Sequence, residues 1–120
     1  MLKSFHIETP IKFFSACEDG AVIYKEAVDS FSCGQYNASI AMSMFCLKMG
    51  LCERYLYYKE KDPLDFYNLI WWAQSHLHGK MEDGVFRMLR GLILPEKLTT
   101  REDSLETIRY VSGILGLLYE

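Results

Sequence analysis

The sequence predicts an all-α protein, an up-and-down bundle of four to five helices around a long apolar second helix at about residues 35–59. Three observations lead there. No stretch of useful length alternates apolar and polar residues as a half-buried strand would. Proline and glycine stand where helix ends are expected, at Pro10, Gly34, Pro63, Gly79 and Pro95. Between Gly34 and Asp62 the chain is apolar almost throughout, with Gly50 as its one weak point.

Thr9-Pro10 reads as an N-cap followed by proline at the first helical position, where a missing N–H costs nothing. The first helix should run to about Phe31, with a break near Asp19-Gly20. Gly34 then supplies a left-handed C-terminal cap. The second helix starts near Gln35 and carries two apolar stripes. Ile40, Met44, Leu47, Leu51, Tyr55 and Tyr58 form one; Met42, Phe45, Met49, Cys52 and Leu56 form the other. A helix apolar on nearly all sides is buried on most of them, so it is either the centre of the fold or the seam of a dimer. Gly50 costs about 1 kcal/mol relative to alanine, which close packing by another helix would offset.

Asp62-Pro63 repeats the cap-plus-proline signal and opens a third helix that ends near Gly79. Phe66, Leu69, Ile70, Ala73 and Leu77 face its core side, with Tyr67 and Trp71 at the edge. Trp72 falls among Asp65, Asn68, Ser75 and His76, as an exposed hot-spot residue or one covered by a loop or the N-terminal segment. A short fourth helix spans roughly Met81 to Leu92 and is broken at Leu94-Pro95. Thr100 and Asp103 make a capping box for a last helix reaching about Tyr119. Its core stripe is Leu105, Ile108, Val111, Leu115, Leu118 and Tyr119, edged by the small residues Ser112 and Gly116.

The 120 residues fit one domain, 1–120, and the 50% hydrophobic and 24% charged fractions are those of a globular chain rather than a disordered one. A net charge of −3 disfavours a nucleic-acid partner, which calls for a basic balance or patch. Cys17, Cys33, Cys46 and Cys52 form no C-x-x-C pair, and the opening residues lack the apolar run of an export signal. These features predict reduced thiols and a cytoplasmic protein. Lys48 interrupts the longest apolar run, so no membrane span is expected.

Chemistry is sparse. His76 and His78, two apart on a helix, point about 200° apart and cannot share a ligand site; His6 is the third and last histidine. No phosphate loop, nucleophile turn or metal-ligand spacing is present, so no cofactor and no metal are expected.

The stretch from Glu18 to Tyr58, with Ala27, then Gly34-Gln35-Tyr36-Asn37-Ala38 and a long apolar helix, resembles the opening of HEPN-type helical domains. Phe86-Arg87-Met88-Leu89-Arg90-Gly91 is similar to the Leu-Arg-x-x-Arg-Asn stretch of one branch of that group. The resemblance implies a helical bundle that pairs through its helices. Nuclease members of the group place a His about four to six residues after an Arg, to carry protons. Here Arg90 matches that Arg, Gly91 replaces the Asn, and Pro95 stands at the His position. The resemblance therefore implies a catalytically lapsed member.

The reading that follows is a non-catalytic protein–protein interaction module, a homodimer or the partner of another chain, with Met42, Phe45, Met49 and Trp72 as contact residues. The alternatives are a HEPN-like ribonuclease or RNA binder using Arg87, Arg90 and a histidine from elsewhere, and a small-molecule sensor with an aromatic pocket near Trp71 and Tyr67.

Overall fold

A computed structural model of the chain describes residues 9–59, 64–93 and 100–120. The described residues form six α-helices: α1 (Ile11–Ala16), α2 (Glu18–Ser32), α3 (Tyr36–Lys59), α4 (Phe66–His76), α5 (Asp83–Gly91) and α6 (Arg101–Leu118). The fold is all-α, as its sequence predicts. The expected four to five helices become six because the first one is broken. The break lies at Cys17, ahead of the expected Asp19-Gly20, where one extended residue (φ −143°, ψ 92°) is the C-cap of α1 and the N-cap of α2. This corner turns the fully buried Phe13 inward, with its ring lying where a side chain at Gly20 would be.

α3 is the 24-residue axis of the fold and packs against α2, α6 and α4, while α5 rides on α4. Its inward side is sealed: Leu47 and Leu51 are fully buried, and Ile40, Met44 and Tyr55 nearly so. Tyr58 leaves this stripe and is 47% exposed. Gly50 sits at the tightest point. The Leu115 side chain of α6 occupies the place a Cβ would take, and the Phe13 ring lies 3.1 Å from it. Here three helices converge on a residue without a side chain, and that packing offsets the glycine's helix-propensity cost.

Two hydrogen bonds join polar groups across this core, while the buried hydroxyls of Ser43 and Ser104 find no partner among the described residues. Ser39 Oγ donates to the Ala27 carbonyl of α2 at 2.8 Å, and Tyr24 and Ser112 share a hydrogen bond at 2.7 Å that ties α2 to α6. Ser112 thus serves a specific partner. Gly116, expected to admit a close neighbour, has open space beside it.

Several helix ends follow local rules, although α1 has Pro10 rather than the expected Thr9 at its N-cap. Gly34 has φ +80°, with Gly34 N–H donating to Phe31 and Gln35 N–H to Ser30, the paired bonds of a Schellman cap. Asp65 caps α4 by accepting from Asn68 N–H at 2.8 Å; the expected start at Asp62-Pro63 lies outside the described residues, as does the Leu94-Pro95 break. Gly79, at φ +84°, sits in a turn closed by Lys80 N–H on the Leu77 carbonyl, a left-handed position that favours glycine. Thr100 and Asp103 form the predicted capping box, each side chain accepting from the other's N–H at 3.1 and 3.0 Å. Among the described residues no helix is long and apolar enough to cross a membrane.

Two glycine substitutions should move stability in opposite directions. Gly50→Ala forces a methyl into Leu115 and Phe13 and should cost about 1–3 kcal/mol, as overpacking does. Gly116→Ala enters open space in α6 and should stabilise by up to about 1 kcal/mol. Urea unfolding of the two variants against the parent chain measures both.

Candidate interaction surface

The side of α3 that faces away from the core is also apolar. Ala38, Met42, Phe45, Met49, Cys52 and Leu56 follow one another at steps of four, three, four, three and four residues. At about 100° per residue those steps keep them on one narrow strip, opposite the buried Ser43, Leu47 and Gly50. Phe45 is 50% exposed and Leu56 42%. Ala38 is exposed, and Met42, Met49 and Cys52 are half-buried. The strip runs for about 27 Å at the usual helical rise. Lys48, exposed, stands along one edge and Glu53, also exposed, along the other. Three of the four expected contact residues, Met42, Phe45 and Met49, therefore lie together on one open face.

Trp72 does not join them. It is half-buried in the packing of α4 against α3, with Tyr55 meeting its ring edge-on at a centroid distance of 5.5 Å. Tyr58 lies at 6.4 Å, and His76 stacks on it at 5.0 Å. Of the two expectations for Trp72 on its polar arc, exposed or covered by a loop or the N-terminal segment, the structure shows a half-buried ring with tyrosines of α3 beside it. The end of α3 brings two tyrosines across that arc, and burying the indole against them removes apolar surface from water. Trp71 is the outward indole, 44% exposed, with the Arg90 guanidinium 3.6 Å from its ring centre.

Arg90 also donates from Nη1 to Gln74 Oε1 at 2.6 Å. Its planar head is thus fixed by a stacking partner and an acceptor, both on α4, and it fastens α5 to that helix. Tyr67, Trp71, Arg87, Arg90 and Gly91 line a shallow, open groove beside it.

A third cluster, absent from the sequence reading, closes the lower part of α3 against the chain's end. Tyr119 Oη donates to Glu53 Oε1 at 2.5 Å, and Arg54 Nε donates to the same oxygen at 2.9 Å. The Arg54 guanidinium lies over the Tyr119 ring at 4.2 Å and the Tyr57 ring at 4.6 Å. Burial pushes the Glu53 carboxyl up, but the hydrogen bonds from Arg54 and Tyr119 outweigh it and hold the group below the usual carboxylate range. Burial and the Glu53 carboxylate both raise the Tyr119 phenol above its ordinary value. No local signal announces this contact, because its partners are 66 residues apart.

The buried thiol of Cys46 is pushed up to about 12, chiefly by loss of water, and its Sγ donates to the Gly20 carbonyl at 3.5 Å. A thiol held protonated is the opposite of an activated nucleophile. No group of three or more metal-ligating side chains comes together among the described residues. Comparison with known proteins finds no family model that matches the chain, and no curated protein or solved structure that matches it.

The Glu53–Tyr119 bond makes stability depend on pH at both ends. Glu53, with its folded value depressed, contributes stability above the ordinary carboxylate range that is lost as acid protonates it in the fold. Tyr119, with its folded value raised, contributes stability below about pH 10, its ordinary range, that is lost as base ionises the unfolded phenol. Tyr119→Phe should flatten the alkaline arm and shrink the acid arm in thermal melts across pH, with Tm at pH 7 lower by a few degrees.

Proposed function

We propose that the chain is a non-catalytic helical interaction module, HEPN-like in kind, that works by docking another protein chain on the outward strip of α3. The carrying observation is the strip itself: an apolar row on the central helix that the other described residues leave partly open from Ala38 to Leu56. Exposed apolar surface in one continuous row is costly to leave in water, and in native proteins such a row marks contact sites. Its composition fits that use. Met42 and Met49 have flexible, polarisable side chains that adapt to a partner, and Phe45 offers a rigid anchor between them. Phe45 and Leu56 are the strip's most exposed members, whereas Cys52 also packs against the core.

A photo-reactive phenylalanine analogue placed at Phe45 tests this in cells that make the protein. The reading expects a covalent protein adduct at Phe45 and none from the same probe at Gly84, an exposed position of α5. No adduct at Phe45, with the probe-bearing chain folded, overturns it.

A second reading, contact with single-stranded RNA, is favoured by one observation: the exposed Trp71 and Tyr67 flank Arg87 and Arg90 in the α4–α5 groove. Bases stack on such rings at about 1–3 kcal/mol each, and phosphates are met by the arginines. If this reading holds, RNA titration at low salt should quench the indole fluorescence, and Trp71→Ala should remove most of the change. A flat titration ends it.

A further inference from the structure

The groove between α4 and α5 brings together two kinds of side chain that ask for one ligand. Tyr67 and Trp71 stand about one turn apart on α4 and are 49% and 44% exposed. Arg87 and Arg90 stand three residues apart on α5, a spacing that puts both guanidiniums on one side of the helix. Arg90 covers one face of the Trp71 ring at 3.6 Å, so the exposed part of the indole is its other face and rim. Gly91, with open space beside it, leaves its end of the groove unfilled. The groove has room for about 450 Å³, within the range of roughly 300–1,000 Å³ that small-molecule sites occupy.

Charge narrows the ligand further. Arg87 makes no hydrogen bond or ion pair with a described residue. Arg90 gives Nη1 to Gln74 at 2.6 Å, which fixes its plane and leaves its Nε and Nη2 hydrogens uncommitted. Two guanidiniums without a counter-charge, set beside aromatic rings, call for an anion joined to a flat ring. A carboxylate suits the place better than a phosphate. Arg90 and Gly91 belong to the last turn of α5, so the negative end of the helix dipole lies at the groove. Phosphate sites use the opposite end of a helix, where N–H groups point at the ligand. A carboxylate needs only the guanidinium fork, whose planar geometry it matches with two parallel bonds.

We propose that this groove is the binding site for a small aromatic carboxylate. The ring lies against Tyr67 and the open face of Trp71, and the carboxylate is taken by Arg87 and Arg90. The inference is independent of the α3 strip and competes with the RNA reading for the same side chains. Two features favour the small acid over a strand. A strand must run on past the groove, and both ways out are acidic: Asp65 lies two residues before Tyr67, and Glu82 and Asp83 about one turn before Arg87. The chain's net charge of −3 also repels a polyanion far more than a single carboxylate.

Proton–nitrogen NMR of the full chain tests this, because Trp71 in the groove and the half-buried Trp72 outside it give two separate indole N–H signals. Phenylacetate is the probe. The expected result is a saturable shift of the Trp71 signal at millimolar phenylacetate, the affinity such a small ligand reaches in an open groove, with Trp72 moving far less. Phenylacetamide keeps the ring without the charge, acetate keeps the charge without the ring, and each should bind several-fold more weakly. Arg87→Ala, at an exposed position, should weaken phenylacetate roughly two- to tenfold, the range for one hydrogen bond. Arg87→Lys should recover only part of that loss, since it keeps the charge without the fork. No shift of Trp71, or an equal response to phenylacetamide or acetate, overturns the proposal. An acetylated tripeptide ending in phenylalanine carries the same ring and carboxylate at a chain end; tighter binding of it than of phenylacetate overturns the free acid as ligand. An oligoribonucleotide in the same assay separates the two readings of the groove. A Trp71 shift with RNA and none with phenylacetate overturns the acid and upholds the strand; the reverse upholds the acid and ends the strand.

Discussion

The fold depends on the close approach of α1, α6 and α3 at Gly50. A helix interior is an unfavourable place for glycine, yet any side chain there would meet Leu115 and the Phe13 ring. The consequences spread outward from that point. Phe13 reaches it only because the chain is extended at Cys17. α2, set in motion by the same corner, covers the next face of α3 and fastens to it through Ser39 and to α6 through Tyr24 and Ser112. Tyr119, one turn beyond Leu115, reaches the Gly50 carbonyl at 3.4 Å and then Glu53. Helix, corner and chain end are thereby one packing problem with one solution.

That solution uses α3 from a single side. A bundle in which the central helix is enclosed all round would have buried both stripes, and the second stripe would then be ordinary core. Here the inward residues are sealed while Phe45 and Leu56 stay open. The strip is therefore a continuous row on one helix rather than a scatter of surface apolar residues.

Much of this was legible beforehand, and the limits have physical causes. Helix ends governed by local chemistry, such as the Thr100–Asp103 box and the Gly34 cap, are visible in a few neighbouring residues. Two stripes on α3 could be told apart by spacing, but which was covered could not, since both are equally apolar. What covers Trp72 could not be read, because its polar neighbours on the α4 wheel say nothing about Tyr55 and Tyr58 arriving from α3. The Cys17 corner has neither proline nor glycine to mark it; it exists for the sake of where Phe13 must go. Glu53, Arg54 and Tyr119 meet through the tertiary fold alone.

The central claim is that the outward strip of α3 is covered when the protein is at work. Methionine oxidation reads this directly, since Met42 and Met49 lie on the strip and Met44, nearly buried on the inward side, is an internal control. Brief peroxide treatment of intact cells and of dilute purified protein, followed by mass spectrometry, compares the two states. The prediction is that Met42 and Met49 oxidise several-fold more slowly in cells while Met44 stays slow in both. Equal rates for Met42 and Met49 in the two settings would contradict it.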